Sequence, residues 1–340
     1  MRGGGEVGAA AGGEYSPLDF AYTLNNCALS MFEVSAYKPA GLLSEECYRL
    51  IAAVLGPDDI ATMKAKSNLA SCLMWMGQYK RATPMHQECT EIIARKCGTD
   101  HPDYGWSLHS VSSCLTFADR YEEALELRRE CLAIWVNILG KHHHMYARFL
   151  GDLTTALIPL EKYDEAISGA LEALQVMKRA KGEENHRYAT LLALLAEIYM
   201  HAGRPIEALR MIQRSRDIYE RTIGPDCPKY ALSLATMGKC LDDADREEEA
   251  LEMYTEASRA IAANIGKNNF EYVTVLQCSG MCLHKMMRFE EALPLHLEAE
   301  AIVDELPSDE TNIRNEVMCS VLGSIGGCLY QLQRFEDAIR

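Results

Sequence analysis

Three consecutive histidines, His142-His143-His144, and thirteen cysteines are the residues of this 340-residue chain whose types could do chemistry. Imidazoles and thiolates hold zinc, and an activated thiolate attacks carbonyls or disulfides. Their spacing argues against each use. Zinc needs four donors in a tetrahedron, yet no cysteine or carboxylate stands at ligand spacing around the histidine triplet, which reads as a loop or helix cap. Cys72, Cys114, Cys240, Cys282 and Cys328 each lie ten residues before an alanine, and Cys47, Cys89 and Cys131 each lie seven residues after one. A thiol at a fixed place in a pattern behaves as a small apolar packing residue, and burial raises its pKa beyond easy reaction. No glycine-rich phosphate loop, nucleophile elbow or His-Glu-x-x-His helix occurs. The chain therefore reads as no enzyme, with no catalytic residue, no cofactor and no metal.

The alanines that index the cysteines form a ladder of their own: Ala40, Ala82, Ala124, Ala166, Ala208, Ala250 and Ala292, spaced by 42. Gly56, Gly98, Gly140, Gly182, Gly224 and Gly266 keep the same step, as do Tyr104, Tyr146, Tyr188, Tyr230 and Tyr272. Three ladders in one register mark an array of supersecondary units, each burying its apolar face against its neighbours. Matching positions then lie two helix spacings apart, roughly 16–20 Å, too far for a disulfide, which needs Cα atoms within about 7 Å. Only pairs within a repeat, such as Cys72–Cys89, stay open, and the pattern reads as reduced cysteines of a cytoplasmic protein.

The third unit shows the construction. Asp100 or Thr99 can cap a first helix that Pro102 opens, with Leu108, Val111 and Leu115 at helical spacing. Asp119-Arg120 breaks the pattern. A second helix is expected from about Tyr121 to Leu139, carrying Leu125, Leu132 and Ile134, with Gly140 as its left-handed C′ residue. Three residues before each ladder alanine stands an aromatic (Tyr37, Tyr79, Tyr121, Tyr163, Phe289, Phe335), replaced by Pro205 and Glu247 in two copies. Twelve residues before it stands a small residue: Ala28, Ala70, Ser112, Thr154, Ala196, Gly238, Gly280 or Gly326. Two small residues at fixed offset define a close helix crossing. No segment reads as a strand.

Small residue, aromatic-x-x-Ala turn and a further small residue seven later together resemble the tetratricopeptide repeat. At 42 residues the unit is longer than usual and is similar to the kinesin light chain class. Leu55-Gly56-Pro57-Asp58-Asp59, Ser67-Asn68-Leu69-Ala70-Ser71-Cys72, Asp100-His101-Pro102-Asp103-Tyr104 and the prolines Pro84 and Pro294 carry that likeness. The resemblance implies an all-α, right-handed α-α superhelical solenoid of helical hairpins that serves as a protein-interaction scaffold or adaptor. The expected repeats are 15–56, 57–98, 99–140, 141–182, 183–224, 225–266, 267–312 and a partial 313–340. The Gly/Ala-rich residues 1–14 read as a disordered lead-in, lacking both a secretory h-region and the heptads of the family's motor-docking coiled coil. From Ala292 to Ala338 the step grows to 46, placing four extra residues around Leu306–Thr311.

A net charge of −15 argues against nucleic acid as partner, and no stretch has the roughly 20 apolar residues of a membrane span. The resemblance puts the first helix of each hairpin on a concave face. There the family presents Asn, fourteen residues before the ladder alanine, to hold the backbone of an extended peptide. That position reads Asn26, Asn68, Ser110, Asp152, Leu194, Thr236, Cys278 and Ser324. The candidate groove is thus N-terminal: Asn25, Asn26, Lys64, Ser67, Asn68, Ser71, Trp75, Trp106, His109, Ser110, Arg148 and Asp152. Its expected partner is a protein segment, an acidic or aromatic-plus-acidic linear motif, set against Trp75 and Trp106 with Lys64 and Arg148 supplying charge. The later face, with Leu194, Glu197, His201, Thr236, Lys239, Asp242, Asp243, His284 and Lys285, has no single sign and reads as ordinary solvated surface. A second reading makes the array a regulatory or sensor segment of a larger signalling protein, since Arg340 falls inside an expected second helix.

Overall fold

The computed structural model describes residues 16–33, 37–305 and 311–334, and its regular elements there are all α-helices. In chain order they pair as α1 (Pro17–Glu33) and α2 (Tyr37–Leu55), α3 (Ile60–Trp75) and α4 (Tyr79–Cys97), α5 (Pro102–Phe117) and α6 (Tyr121–Leu139), and α7 (His144–Leu157) and α8 (Tyr163–Lys181). They continue as α9 (His186–His201) and α10 (Pro205–Thr222), α11 (Pro228–Asp242) and α12 (Glu247–Asn264), and α13 (Phe270–Lys285) and α14 (Phe289–Glu305). Helix α15 (Thr311–Gln331) opens the next repeat. The second helix of repeat 3 has the bounds that its sequence implies. Residues 1–15, the insertion at 306–310 and the turn signature at Phe335–Ala338 lie outside the described residues.

Each ladder has a structural cause. All seven alanines are fully buried, because any larger side chain would push apart the helices that cross there. The eight repeat cysteines are buried too; Cys89 donates to the Met63 carbonyl at 3.5 Å and Cys282 to that of Glu247 at 3.2 Å. Three of the five ladder tyrosines tie the two helices of a repeat through their hydroxyls: Tyr146 donates to Glu172 at 2.7 Å, Tyr272 to Glu298 at 3.2 Å and Tyr230 to Glu256 at 3.4 Å.

The glycines between repeats differ from expectation. Gly98, Gly140 and Gly182 have φ of 84°, 74° and 81° with ψ of 164°, 164° and 172°. This is not the left-handed helical well but the extended region at positive φ, which only glycine enters freely. The chain leaves α4, α6 and α8 extended and is re-capped three residues after each of these glycines. Asp59, His143 and Asn185 each accept from the backbone N–H two residues on, and His101 does the same for Asp103. His101, rather than Asp100 or Thr99, is therefore the cap of α5. The left-handed positions fall instead inside the repeats, at Gly77, Asp119, Glu161, Gly203, Asp245, Met287 and Gln333, with φ between 55° and 72°.

The chain forms two compact units, Met1–Cys114 and Leu115–Arg340. In unit 1, α1 to α4 pack in succession around Ala21, Cys47, Ile51 and Ala65, and around Leu69, Ala70, Leu73, Met74, Ala82 and Cys114. In unit 2, α6 to α15 pack in succession on one continuous core running from Leu125 to Leu329. First helices of successive repeats also meet there, α7 with α9, α11 with α13 and α13 with α15. Each fully buried leucine contributes roughly 1.5–3 kcal/mol. Within each unit the successive hairpins stack as in an all-α solenoid.

At the close crossing, side-chain sizes compensate. Four residues after the ladder alanine stand Ala170, Ile212, Tyr254 and His296, all buried. Sixteen residues before them stand Thr154, Ala196, Gly238 and Gly280. In these four repeats the two bulkiest partners face glycine: a Cβ at Gly238 would lie 2.6 Å from the Tyr254 ring and one at Gly280 2.5 Å from His296.

Candidate functional site

Each unit holds a concavity, and first helices provide most of its walls. In unit 1, α1, α3 and α5 surround a cavity of about 220 Å³. Of the groove residues expected from sequence, Asn68, Ser71, Trp75, His109 and Ser110 line it. Trp75 is the last residue of α3 and stays 43 % exposed. Its ring stacks on Tyr37 at 5.5 Å, and Phe32 meets it edge-on at 6.4 Å. These rings sit at offset or T-shaped separations that stabilise aromatic pairs by roughly 0.5–1.5 kcal/mol beyond their buried area.

The polar side of the cavity is built across neighbouring helices. Asn68 donates to Asn25 at 2.8 Å, so it is Asn25, and not the exposed Asn26, that partners the family's groove position. Ser67 lies 3.2 Å from His86 Nδ1. His86 is 1 % exposed, and burial pulls its pKa down to about 4; it is a neutral imidazole at neutral pH. No sequence motif flags His86, which belongs to a second helix. Trp106 is half-buried, edge-on to His109 at 6.0 Å.

Lys64 is not among the residues that line the cavity. It pairs with Asp103 at 3.1 Å, and the cavity lining contains no lysine, arginine, aspartate or glutamate. Arg148 and Asp152 belong to unit 2, where they line a larger concavity of about 890 Å³ walled by α7, α9 and α11. Leu194, Glu197, His201, Thr236, Lys239 and Asp243 all line this hollow, whereas Asp242 is buried and paired with Lys285 at 2.8 Å. Arg148 is exposed, its guanidinium 5.8 Å from the Phe149 ring. A residue no motif flagged, buried Arg128, donates to the Asp152 carbonyl and the Thr155 and Thr116 hydroxyls, anchoring the α7 wall from α6.

The histidine triplet does local work. His143 caps α7 by accepting from the Met145 N–H at 3.2 Å. The repeat cysteines are held far from reactivity: burial pushes Cys89 and Cys114 up to about 11, and Cys131 and Cys240 up to about 12. No described helix is long and apolar enough to cross a membrane.

Comparison with known proteins adds to this geometry. A family model for the tetratricopeptide repeat matches residues 59–134, 112–179 and 187–262, together more than half of the chain. No match is found among curated proteins. Among solved structures, the nearly identical TPR-like repeats of a Podosopora anserina protein assigned as a kinesin light chain align at 19 % identity with a TM-score of 0.51, covering 60 % of this chain and 97 % of that one. A point variant of those same repeats aligns at 20 % identity with a TM-score of 0.51, covering 59 % and 94 %. BtubC (BKLC) from P. vanneervenii aligns at 17 % identity with a TM-score of 0.52, covering 73 % and 92 %. At these identities the likeness is one of fold.

Proposed function

Since the chain belongs to the tetratricopeptide repeat family, we propose that it is a non-catalytic scaffold that holds an extended segment of a partner protein against the first helices of repeats 1–3. The observation that carries this reading is the unit 1 cavity, which gathers Asn68, Ser71, His109 and Ser110 beside the half-exposed Trp75. A peptide backbone needs donors and acceptors at fixed spacing, and an anchoring side chain needs an apolar wall. The Asn25–Asn68 pair leaves the Asn68 carbonyl and the Asn25 amide without a partner among the described residues. They can take one peptide unit of a ligand while remaining bonded to each other. Phe32, Met74 and Trp75 form the apolar wall. With no fixed charge in the lining, the anchor suited to this cavity is an uncharged apolar or aromatic side chain.

Panning a displayed random-peptide library against the chain tests the reading. It should enrich ligands whose affinity falls at least about tenfold, the loss of one hot-spot anchor, in the Asn68→Ala/Trp75→Ala variant with far-UV circular dichroism unchanged. Ligands that bind this variant undiminished, or no enrichment at all, would overturn it.

A further inference from the structure

Repeat 7 places a histidine, His296, where repeats 4, 5 and 6 place Ala170, Ile212 and Tyr254. The His296 ring is fully buried, and neither of its nitrogens has a hydrogen-bond partner among the described residues. On one side it rests on the α13 backbone, since a Cβ at Gly280 would lie 2.5 Å from the ring. The matching ring of repeat 2, His86, has one nitrogen bonded to Ser67 and lines the unit 1 cavity. A neutral imidazole buried without partners forgoes the hydrogen bonds that water would give it. A protonated one adds a buried charge without a counter-ion, which costs far more.

The groups around His296 offer that charge no relief. From α13 the neighbour that acts on it is His284, and a second positive charge there opposes the first. His284 stands edge-on to Phe289 at 4.8 Å and reaches α15, where a Cβ on Gly327 would lie 3.6 Å from its Nε2. Lys285, also on α13, is bound to Asp242. On α15, burial pushes the Cys328 thiol up and so keeps it neutral, and Arg314 is paired with Asp304. On α14 itself Glu291 is taken by Arg288 and Glu298 by Lys267. Among the described residues no carboxylate acts on the His296 charge.

In a repeat array each unit is held only by its neighbours. A proton-bearing ring therefore reaches water at least cost by a local parting of helices, with the other repeats left folded. We propose that the His296–Gly280 crossing is an acid-sensitive latch: protonation of His296 releases α14, with α15 packed on it, from α13 and exposes the apolar surface buried between them. The latch does not depend on the unit 1 cavity or on what binds there.

Hydrogen exchange followed across pH tests it, with α7–α10 as internal reference because their crossings hold Ala170 and Ile212 instead. Burial holds the folded-state pKa of His296 below the ordinary 6.5. The open form therefore takes up the proton first, and the closed form is favoured above pH 6.5 and loses ground as pH falls below it. After correction for intrinsic rates, the slowest amides of α13 and α14 should lose at least about fivefold more protection than those of α7–α10 between about pH 7 and 5.5. His296→Tyr, which copies the Gly238–Tyr254 pair of repeat 6, should abolish that excess. In the parent chain, whatever the variant does, the ring signals of His296 should stay those of a neutral imidazole in the folded state over the same range. Equal loss of protection in both regions, the same excess in a folded His296→Tyr, or a His296 ring that titrates near 6.5 within an intact fold would overturn the latch.

Discussion

The two units build their concavities from equivalent helix positions and arrive at opposite chemistry. The unit 1 cavity is small, aromatic and free of fixed charge in its lining, whereas the unit 2 hollow is about 890 Å³ and lined by Arg148, Arg187, Lys229 and Lys239 as well as three acids. The position fourteen residues before the ladder alanine shows the divergence directly: Asn68 and Ser110 face the first hollow, Asp152, Leu194 and Thr236 the second. A repeat constrains only the residues that make helices cross. Those facing the hollow are released from that constraint, and binding chemistry can vary there without loss of fold.

The crossings differ as well, and the difference can be tested. Repeat 2 tolerates Ala70 opposite His86, while repeat 7 has Gly280 opposite His296 with no room for a Cβ. His86 is held through Nδ1 by Ser67. At the place matching Ser67 stands Gln277, which donates to Ser320 instead, and neither nitrogen of buried His296 has a hydrogen-bond partner among the described residues. Gly280→Ala, which copies the repeat 2 pair into repeat 7, should therefore destabilise by roughly 1–3 kcal/mol in urea unfolding. Gly238→Ala should cost a similar amount, and the double variant Gly238→Ala/Tyr254→Ile, which reproduces the Ala196–Ile212 pair of repeat 5, should recover most of it. If Gly280→Ala is neutral, the contrast between the two crossings disappears.

A somewhat smaller effect should follow pH. Burial lowers the pKa of both His86 and His296 below the ordinary histidine value of 6.5, that of His86 to about 4. The unfolded chain takes up the proton first, so this stability is complete above pH 6.5 and is lost as pH falls from there toward 4. At about 1.4 kcal/mol per pH unit, His86 should remove roughly 2 kcal/mol between about pH 6.5 and 5. Urea midpoints across that range should show a flatter pH dependence in His86→Phe than in the parent chain. An unchanged slope would mean that His86 is protonated or solvated in the folded state.

The smallest effect separates the turns. Gly77 occupies the left-handed turn position in unit 1, while Met287, 71 % exposed, occupies it in unit 2 at φ 62°. Left-handed backbone costs a residue with a Cβ roughly 1–2 kcal/mol, partly offset by the greater unfolded-state freedom of glycine. Met287→Gly should raise stability by about 0.5–1 kcal/mol, and Gly77→Ala should lower it by a similar amount. A shift of melting temperature in the same direction for both would contradict this account of the turn.

Much of the scaffold was legible before any coordinates. Tyr121 to Leu139 came out as one helix with the expected bounds, and the alanine and cysteine ladders came out buried, because each repeat meets the same packing problem with the same residues. Gly140 was legible as a terminator but not in its backbone conformation, since both the left-handed well and the extended positive-φ region select glycine. The groove was only half legible. Asn68 and Trp75 stood out by type and spacing, but His86 and Arg128 lie on second helices and reach the walls only through packing.

By itself the sequence determined the repeat length, the hairpins, the crossings and the burial of the thiols, all consequences of contacts within a unit or with its neighbour. The tertiary structure alone decided which first-helix side chains converge on a hollow and which cations find a carboxylate. Lys64 pairs with Asp103 and Lys285 with Asp242, while Arg187 and Lys239 form no ion pair among the described residues although carboxylates line the same hollow. Such pairings depend on a few ångströms between residues about forty apart in the chain, and no pattern along a single chain records that distance.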